Sequence, residues 1–148
     1  MRKAATIGDW QAAEVLLRED PNIVRDKLTE KGETALHIAA SMKGTEFVKE
    51  LVQIMSPNDL ELQNEHGQTA FYYAAARGTV EMVTVMREKN SSLVSMCDED
   101  MKTPLYVATR EENKEMVSYL YQFTGVENLD IKQWFDVIFA AISSRMYG

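Results

Sequence analysis

The chain has 148 residues, of which 16 are lysine or arginine and 23 are aspartate or glutamate, for a net charge of −7. This balance argues against nucleic acid as a partner, because no basic stripe is available to displace counterions from phosphates. Cys97 is the only cysteine, which excludes an internal disulfide, and no apolar run approaches the roughly 20 residues of a membrane span. The opening residues lack a secretory apolar region, so we expect a soluble, cytoplasmic module.

The first predicted helix pair lies in residues 1–28. Residues 4–8, Ala-Ala-Thr-Ile-Gly, match the end of a helix that recurs at residues 74–78. Apolar residues near helical spacing predict the buried face of a second helix, and they are Trp10, Ala13, Val15, Leu16 and Leu17. Asp20-Pro21-Asn22 predicts the end of that helix.

Three later segments repeat one pattern at a nearly fixed period. They read GETALHIAA, GQTAFYYAA and MKTPLYVAT, and their threonines are Thr34, Thr69 and Thr103, which are 35 and then 34 residues apart. A glutamate follows each threonine by 12 residues, and an apolar pair follows each glutamate; the glutamates are Glu46, Glu81 and Glu115. Such a period predicts a solenoid of stacked helix pairs.

These segments resemble the T-P-L-H-x-A pattern of ankyrin repeats. The resemblance implies an all-α solenoid of about four helix-turn-helix repeats with a C-terminal half repeat. We expect a single domain with repeats at residues 1–28, 29–62, 63–96 and 97–124, and a partial fifth repeat at 125–148. In that last part, a helix is predicted from Trp134 to Ser144, packed on the fourth repeat, with an apolar side formed by Trp134, Phe135, Ile138, Phe139 and Ile142.

Each of the three later repeats carries its own turn and cap residues. Gly32 and Gly67 permit a left-handed turn at the tip of a finger-like loop, where the fourth repeat has Met101. The three threonines are placed to cap the helices that follow them. Between the helices of the fourth repeat, Asn113 is the residue nearest to an expected glycine that tolerates a left-handed turn. Inward positions of the second repeat are Phe47, Val48, Leu51, Val52 and Met55.

A narrower resemblance concerns plant ankyrin proteins in which a membrane-embedded PGG domain follows the repeats. It is carried by KAATIGDWQAAEVLLREDP, GETALHIAA, SPNDLELQNEHGQTA and KEMVSYLYQFTG, and this sequence contains no PGG domain. The resemblance implies the cytosolic interaction module of a membrane-anchored signalling or defence protein, with membrane attachment only through segments absent from this chain. The alternative is a soluble ankyrin adaptor or inhibitor without an anchor.

The histidines, the cysteine and the carboxylates of the sequence do not form the pattern of a catalytic site or of a metal site. His37 occupies the position at which ankyrin repeats hydrogen-bond the neighbouring finger, and Tyr72 and Tyr106 replace it later. His66 is expected to be solvated, and a metal site with His37 and Cys97 would have to span three repeats. Carboxylates beside Cys97 disfavour its thiolate. Residues 98–100 are expected to be solvated, because they lack the spaced ligands of a calcium loop. We therefore expect no enzyme, metal, cofactor or small-molecule substrate.

The resemblance implies that another protein, of unknown identity, binds the concave side formed by the fingers and the first helices. The variable positions there are Glu30, Lys31, Glu33, Met42, Glu65, His66, Gln68, Arg77, Glu99, Asp100, Lys102, Arg110 and Glu111. Binding hot spots favour Trp, Tyr and Arg, which makes Arg77 and Arg110 the leading candidates. The alternative is that these side chains are merely solvated.

Overall fold

The computed structural model describes residues 1–124 and, after them, Ile131, Phe135, Ile138 and Phe139. The helices are α1 (Arg2–Ile7), α2 (Trp10–Glu19), α3 (Ala35–Ser41), α4 (Thr45–Ile54), α5 (Ala70–Arg77), α6 (Val80–Lys89), α7 (Pro104–Arg110) and α8 (Lys114–Tyr121). Three short 3₁₀ turns follow the second helices, at Pro21–Arg25, Pro57–Glu61 and Ser91–Ser95. Over this described part, no strand forms beyond an isolated bridge between Gln63 and Thr69.

The helices stack in two layers, which confirms the predicted all-α solenoid. In one layer α1, α3, α5 and α7 pack in sequence, and in the other α4, α6 and α8 do the same. Trp10 of α2 meets Phe47 of α4 edge-on, with 5.4 Å between ring centroids. We propose the division into repeats 1–28, 29–62, 63–96 and 97–124, each of which holds one helix pair. The predicted helix Trp134–Ser144 lies outside the described residues, apart from Phe135, Ile138 and Phe139.

The core is built from residues at the repeat period. Leu36, Phe71 and Leu105 fill the layer of first helices and are almost fully buried. The second helices contribute an equivalent buried series, Leu51, Met86 and Leu120. Because each unit buries its neighbour's apolar side, the stack has one continuous core rather than four separate ones.

The inward residues predicted for the second repeat are all buried, which confirms them. For α2 the prediction was wrong at Val15, whose exposed fraction is 55%. Ala13 and Leu17 are four residues apart and share the buried face, whereas Val15 lies two residues from each and therefore points away from that face.

The left-handed turns also correct one prediction. Gly32, Gly67 and Met101 have φ values of 77°, 76° and 63°, so a methionine does adopt the finger-glycine conformation. Between α7 and α8, however, the left-handed residue is Glu112, with φ of 58°, and not Asn113. Asn113 instead caps α8, because its side-chain oxygen accepts a hydrogen bond from the backbone N–H of Met116.

Candidate functional site

Three finger loops form a continuous surface along one edge of the stack. We define the finger row as residues 30–33, 65–68 and 99–102. The backbone N–H of Glu65 donates to the carbonyl of Lys31, and that of Glu99 donates to the carbonyl of His66, both at 2.9 Å. Because these bonds link equivalent positions, each finger is held in register with the one before it.

A side-chain oxygen closes each finger from within. Thr29 Oγ1 accepts from the N–H of Glu33 at 3.2 Å, Asn64 Oδ1 from that of Gln68 at 3.0 Å, and Asp98 Oδ1 from that of Lys102 at 2.9 Å. Such local bonds from short polar side chains stabilise turns. The loops are therefore ordered features of the surface.

His37 links the first helix of its unit to the next finger, as the resemblance implied. Its Nδ1 accepts from the backbone N–H of Thr34 at 3.2 Å, and its Nε2 lies 2.8 Å from the carbonyl oxygen of Gln68. Since a backbone N–H can only donate, Nδ1 carries no proton and Nε2–H donates to Gln68. The buried ring is therefore neutral, and its two nitrogens accept a hydrogen bond from Thr34 and donate one to Gln68, respectively.

Tyrosine stands at this position in the later units, and in the third unit it makes a comparable link. The Tyr72 hydroxyl donates to Asp98 Oδ2 at 2.9 Å, a bond to a side chain rather than to a backbone carbonyl. Burial raises the pKa of Tyr72, and the hydrogen bond and charge of Asp98 raise it further. In the fourth unit Tyr106 is buried beneath Lys102, whose Nζ lies 4.4 Å from the ring centroid. This arrangement is a cation–π contact.

The predicted partner-binding residues fall into two rows. Nine lie in the finger row, where the backbone bonds bring them together: Glu30, Lys31, Glu33, Glu65, His66, Gln68, Glu99, Asp100 and Lys102. The other four lie at the carboxyl ends of the first helices: Met42, Arg77, Arg110 and Glu111. All are exposed except for Glu33, Gln68 and Lys102, which are half-buried.

His66 is more constrained than the freely solvated side chain that the sequence predicts. Its Nδ1 lies 3.0 Å from Glu99 Oε1 and its Nε2 lies 3.5 Å from Glu65 Oε1. The ring is half exposed and sits between carboxylates of two neighbouring fingers. It therefore adds a side-chain link beside the backbone bond from Glu99.

Tyr73 is a surface residue that the sequence analysis missed. Its hydroxyl accepts from Asn64 Nδ2 at 2.9 Å, and its ring meets His37 edge-on at 5.1 Å between centroids. Burial, followed by the hydrogen bond and charge of Glu33, raises the pKa of Tyr73 to about 12. This half-buried tyrosine thus lies between two fingers. In the sequence, Tyr73 could have been found from its position directly after Tyr72, the residue that aligns with His37.

Within the part of the chain that the structure describes, no group of three His, Cys, Asp or Glu side chains is placed to hold a metal ion. Burial raises the pKa of Cys97, and the charge of Asp98 raises it further. A thiol with a raised pKa is a poor nucleophile at neutral pH. None of the described helices is both long enough and apolar enough to cross a membrane.

The neutral state of His37 predicts a pH dependence of stability. Burial lowers the pKa of His37 below its ordinary value of 6.5 and outweighs the opposing effects of the Gln68 carbonyl and Glu33. The unfolded chain therefore takes up this proton at a higher pH than the folded chain. His37 thus costs no stability above pH 6.5, and the free energy of unfolding falls as the pH is lowered from 6.5 towards the folded pKa.

Urea unfolding on both sides of that pH tests this prediction. Wild-type protein should lose more stability on acidification than His37→Gln, whose side chain does not titrate. An identical loss in both proteins would show that His37 takes no part in the pH dependence.

Comparison with known proteins agrees with this geometry. The family model for ankyrin repeats (3 copies) matches residues 1–93 and 41–133. Inversin from Canis lupus familiaris is 27% identical over 114 residues, and human Inversin is 25% identical over the same length. Each match covers 77% of this chain and 10% of Inversin, so the chain spans about a tenth of these curated relatives. The family match covers most of the described stack, and the chain belongs to the ankyrin-repeat family.

Proposed function

We propose that this chain binds another protein through the concave face made by the finger row and the carboxyl ends of α3, α5 and α7. Ankyrin repeats are a non-catalytic fold that generally serves protein–protein interaction. The observation that carries the proposal is the pair of backbone bonds at Lys31 and His66, which joins three fingers into one preorganised surface. Preorganisation lowers the ordering cost of binding.

Arg77 and Arg110 are the proposed anchors of the partner. Each is the last residue of its helix, in α5 and α7, and both side chains are exposed. Arginine is enriched among residues that dominate binding energy, since its planar group combines several donors with an apolar face. Tyr73 lies in the same region, because it belongs to α5 with Arg77 and its hydroxyl accepts a hydrogen bond from Asn64 beside the second finger.

The cellular setting that we propose is the cytosolic side of a plant membrane-anchored signalling or defence protein. The four quoted segments that resemble plant ankyrin proteins with a PGG domain support it. Sequencing the complete transcript tests this setting: several hydrophobic helices encoded after Gly148 would support it. A transcript without them would favour a soluble adaptor or inhibitor.

The binding proposal is tested by Arg77→Glu combined with Arg110→Glu. Both substitutions are at exposed positions, so the fold should be retained while the captured partner is lost. Wild-type and variant protein would be used as bait in plant extract, and the affinity of the identified partner would then be measured by calorimetry. We expect at least a tenfold weaker association, which corresponds to roughly 1.4 kcal/mol.

The matched control is Arg2→Glu with Arg18→Glu. It makes the same change in net charge at two exposed arginines of the first helix pair. Control protein should bind like wild type. Equal weakening by both pairs would indicate a general charge effect, and unchanged binding of the Arg77/Arg110 variant would reject the concave face.

A further inference from the structure

The methionines of the described residues divide sharply by exposure. Four are buried in the core, with exposed fractions of 2% or less: Met55, Met82, Met86 and Met116. Met1 and Met96 are half-buried. In this part of the chain only Met42 and Met101 are exposed, with exposed fractions of 53% and 68%. Their thioethers are therefore the ones that a reagent in solution reaches without opening the stack.

Both exposed methionines lie on the proposed concave face. Met101 belongs to the finger row, at the left-handed position where the two earlier fingers have Gly32 and Gly67. It therefore adds a thioether at a turn position where the other fingers have no side chain. Its backbone N–H donates to the carbonyl of Asp98 at 3.0 Å, which holds the turn. Met42 directly follows the carboxyl end of α3, and its N–H donates back into that helix.

The chemistry of a thioether suits these positions to oxidation by hydrogen peroxide. The sulfur lone pair attacks one peroxide oxygen, the O–O bond breaks, and the second oxygen leaves as water after proton transfer. Sulfur thereby loses two electrons to the peroxide, and the product is methionine sulfoxide, which is polar. The reaction needs no ionised sulfur. The competing sulfur of Cys97 reacts as a thiolate, which its partial burial and the charge of Asp98 disfavour.

We propose that Met42 and Met101 are oxidation sites through which peroxide weakens partner binding at the concave face while the stack stays folded. This inference rests on the proposed function, because it names a regulation of that surface. Methionine is an adaptable apolar contact at binding surfaces, and its conversion to a sulfoxide disrupts such an interface. Methionine sulfoxide reductases reverse the change, so the modification acts as a switch.

Peptide mapping by mass spectrometry after brief treatment with dilute peroxide tests the two sites. Met42 and Met101 should be oxidised at least about tenfold faster than the four buried methionines, because the native stack shields the latter. In concentrated urea, where the stack is unfolded, the exposed and the buried set should react at similar rates. This comparison separates shielding by the fold from intrinsic reactivity. The oxidised protein should keep the urea midpoint of the untreated protein.

Binding is tested with the partner captured by the wild-type bait, which is added after catalase has removed the peroxide. The affinity of wild-type protein should fall about tenfold on oxidation and return after treatment with methionine sulfoxide reductase. Met42→Leu combined with Met101→Leu keeps two apolar side chains but no exposed sulfur. Its affinity should change by less than about twofold on the same treatment.

The matched control is Met55→Leu with Met116→Leu, which removes two buried thioethers and retains both exposed ones. Control protein should lose affinity on oxidation as wild type does. Cys97 is present in every one of these proteins, so a loss caused by its oxidation would be equal in all of them.

Three results would overturn the proposal: oxidation of the buried methionines as fast as Met42 and Met101 in folded protein, unchanged affinity of oxidised wild type, or an equal loss in the Met42/Met101 variant. Such failure is distinguishable from failure of the proposed function. If the Arg77/Arg110 variant still loses its natural partner, the concave face remains the binding surface and only its control by oxidation is rejected.

Discussion

Gly78→Ala should lower the free energy of unfolding by about 2–3 kcal/mol. A Cβ added at Gly78 would lie 2.8 Å from both the Cα and the carbonyl oxygen of Ala74, and 2.8 Å from the Met82 sulfur. The methionine can move, but the Ala74 atoms belong to the backbone of α5 and to the bond that ends it, from the Gly78 N–H to the Ala74 carbonyl. Relief of the clash therefore requires a shift between α5 and α6 in the middle of the stack.

Gly44→Ala is the matched control, at the glycine that lies between α3 and α4. The nearest heavy atom to its added Cβ is the Ala39 carbonyl oxygen at 3.4 Å, so the methyl group fits with little adjustment. We expect a loss below about 1 kcal/mol by urea unfolding. Equal losses for the two variants would mean that Gly78 is not held by this close contact.

Phe71→Ala should cost about 3–5 kcal/mol, the largest effect that we expect from a single truncation. Phe71 is 0% exposed and belongs to α5, which packs between α3 and α7. Its removal leaves a cavity shared by three units, because none of the neighbouring helices can close it without losing its own packing.

Val15→Ala provides the comparison at a site predicted to be buried but found exposed. Removal of its methyl groups should change stability by less than about 0.5 kcal/mol. Both variants would be measured by urea unfolding with helix content as the signal. A loss at Val15 comparable to that at Phe71 would contradict the assigned orientation of α2.

The period of the sequence predicted most of the fold because burial in a stack repeats with it. Leu36, Phe71 and Leu105 follow from their shared position after the threonine. The errors arose where the period was weak. Val15 lies in the unit that lacks the threonine-led pattern. Between α7 and α8 the pattern predicts the left-handed turn at Asn113, whereas the residue before it, Glu112, adopts that conformation.

The candidate site was predictable as a set of positions but less so as a set of contacts. The repeat frame placed nine predicted residues in the finger row. It could not reveal that His66 lies between Glu65 and Glu99, or that Tyr73 reaches Asn64, because these contacts depend on neighbouring units and on particular side chains.

Amide hydrogen exchange at the finger tips tests most directly whether the fingers form one bonded surface. Glu30, Glu65 and Glu99 are equivalent and exposed, but only Glu65 and Glu99 donate their N–H to a preceding finger within the described residues. We predict that the amides of Glu65 and Glu99 exchange much more slowly than that of Glu30 in ¹⁵N-labelled protein. Exchange of all three at the same rapid rate would contradict a continuous finger row.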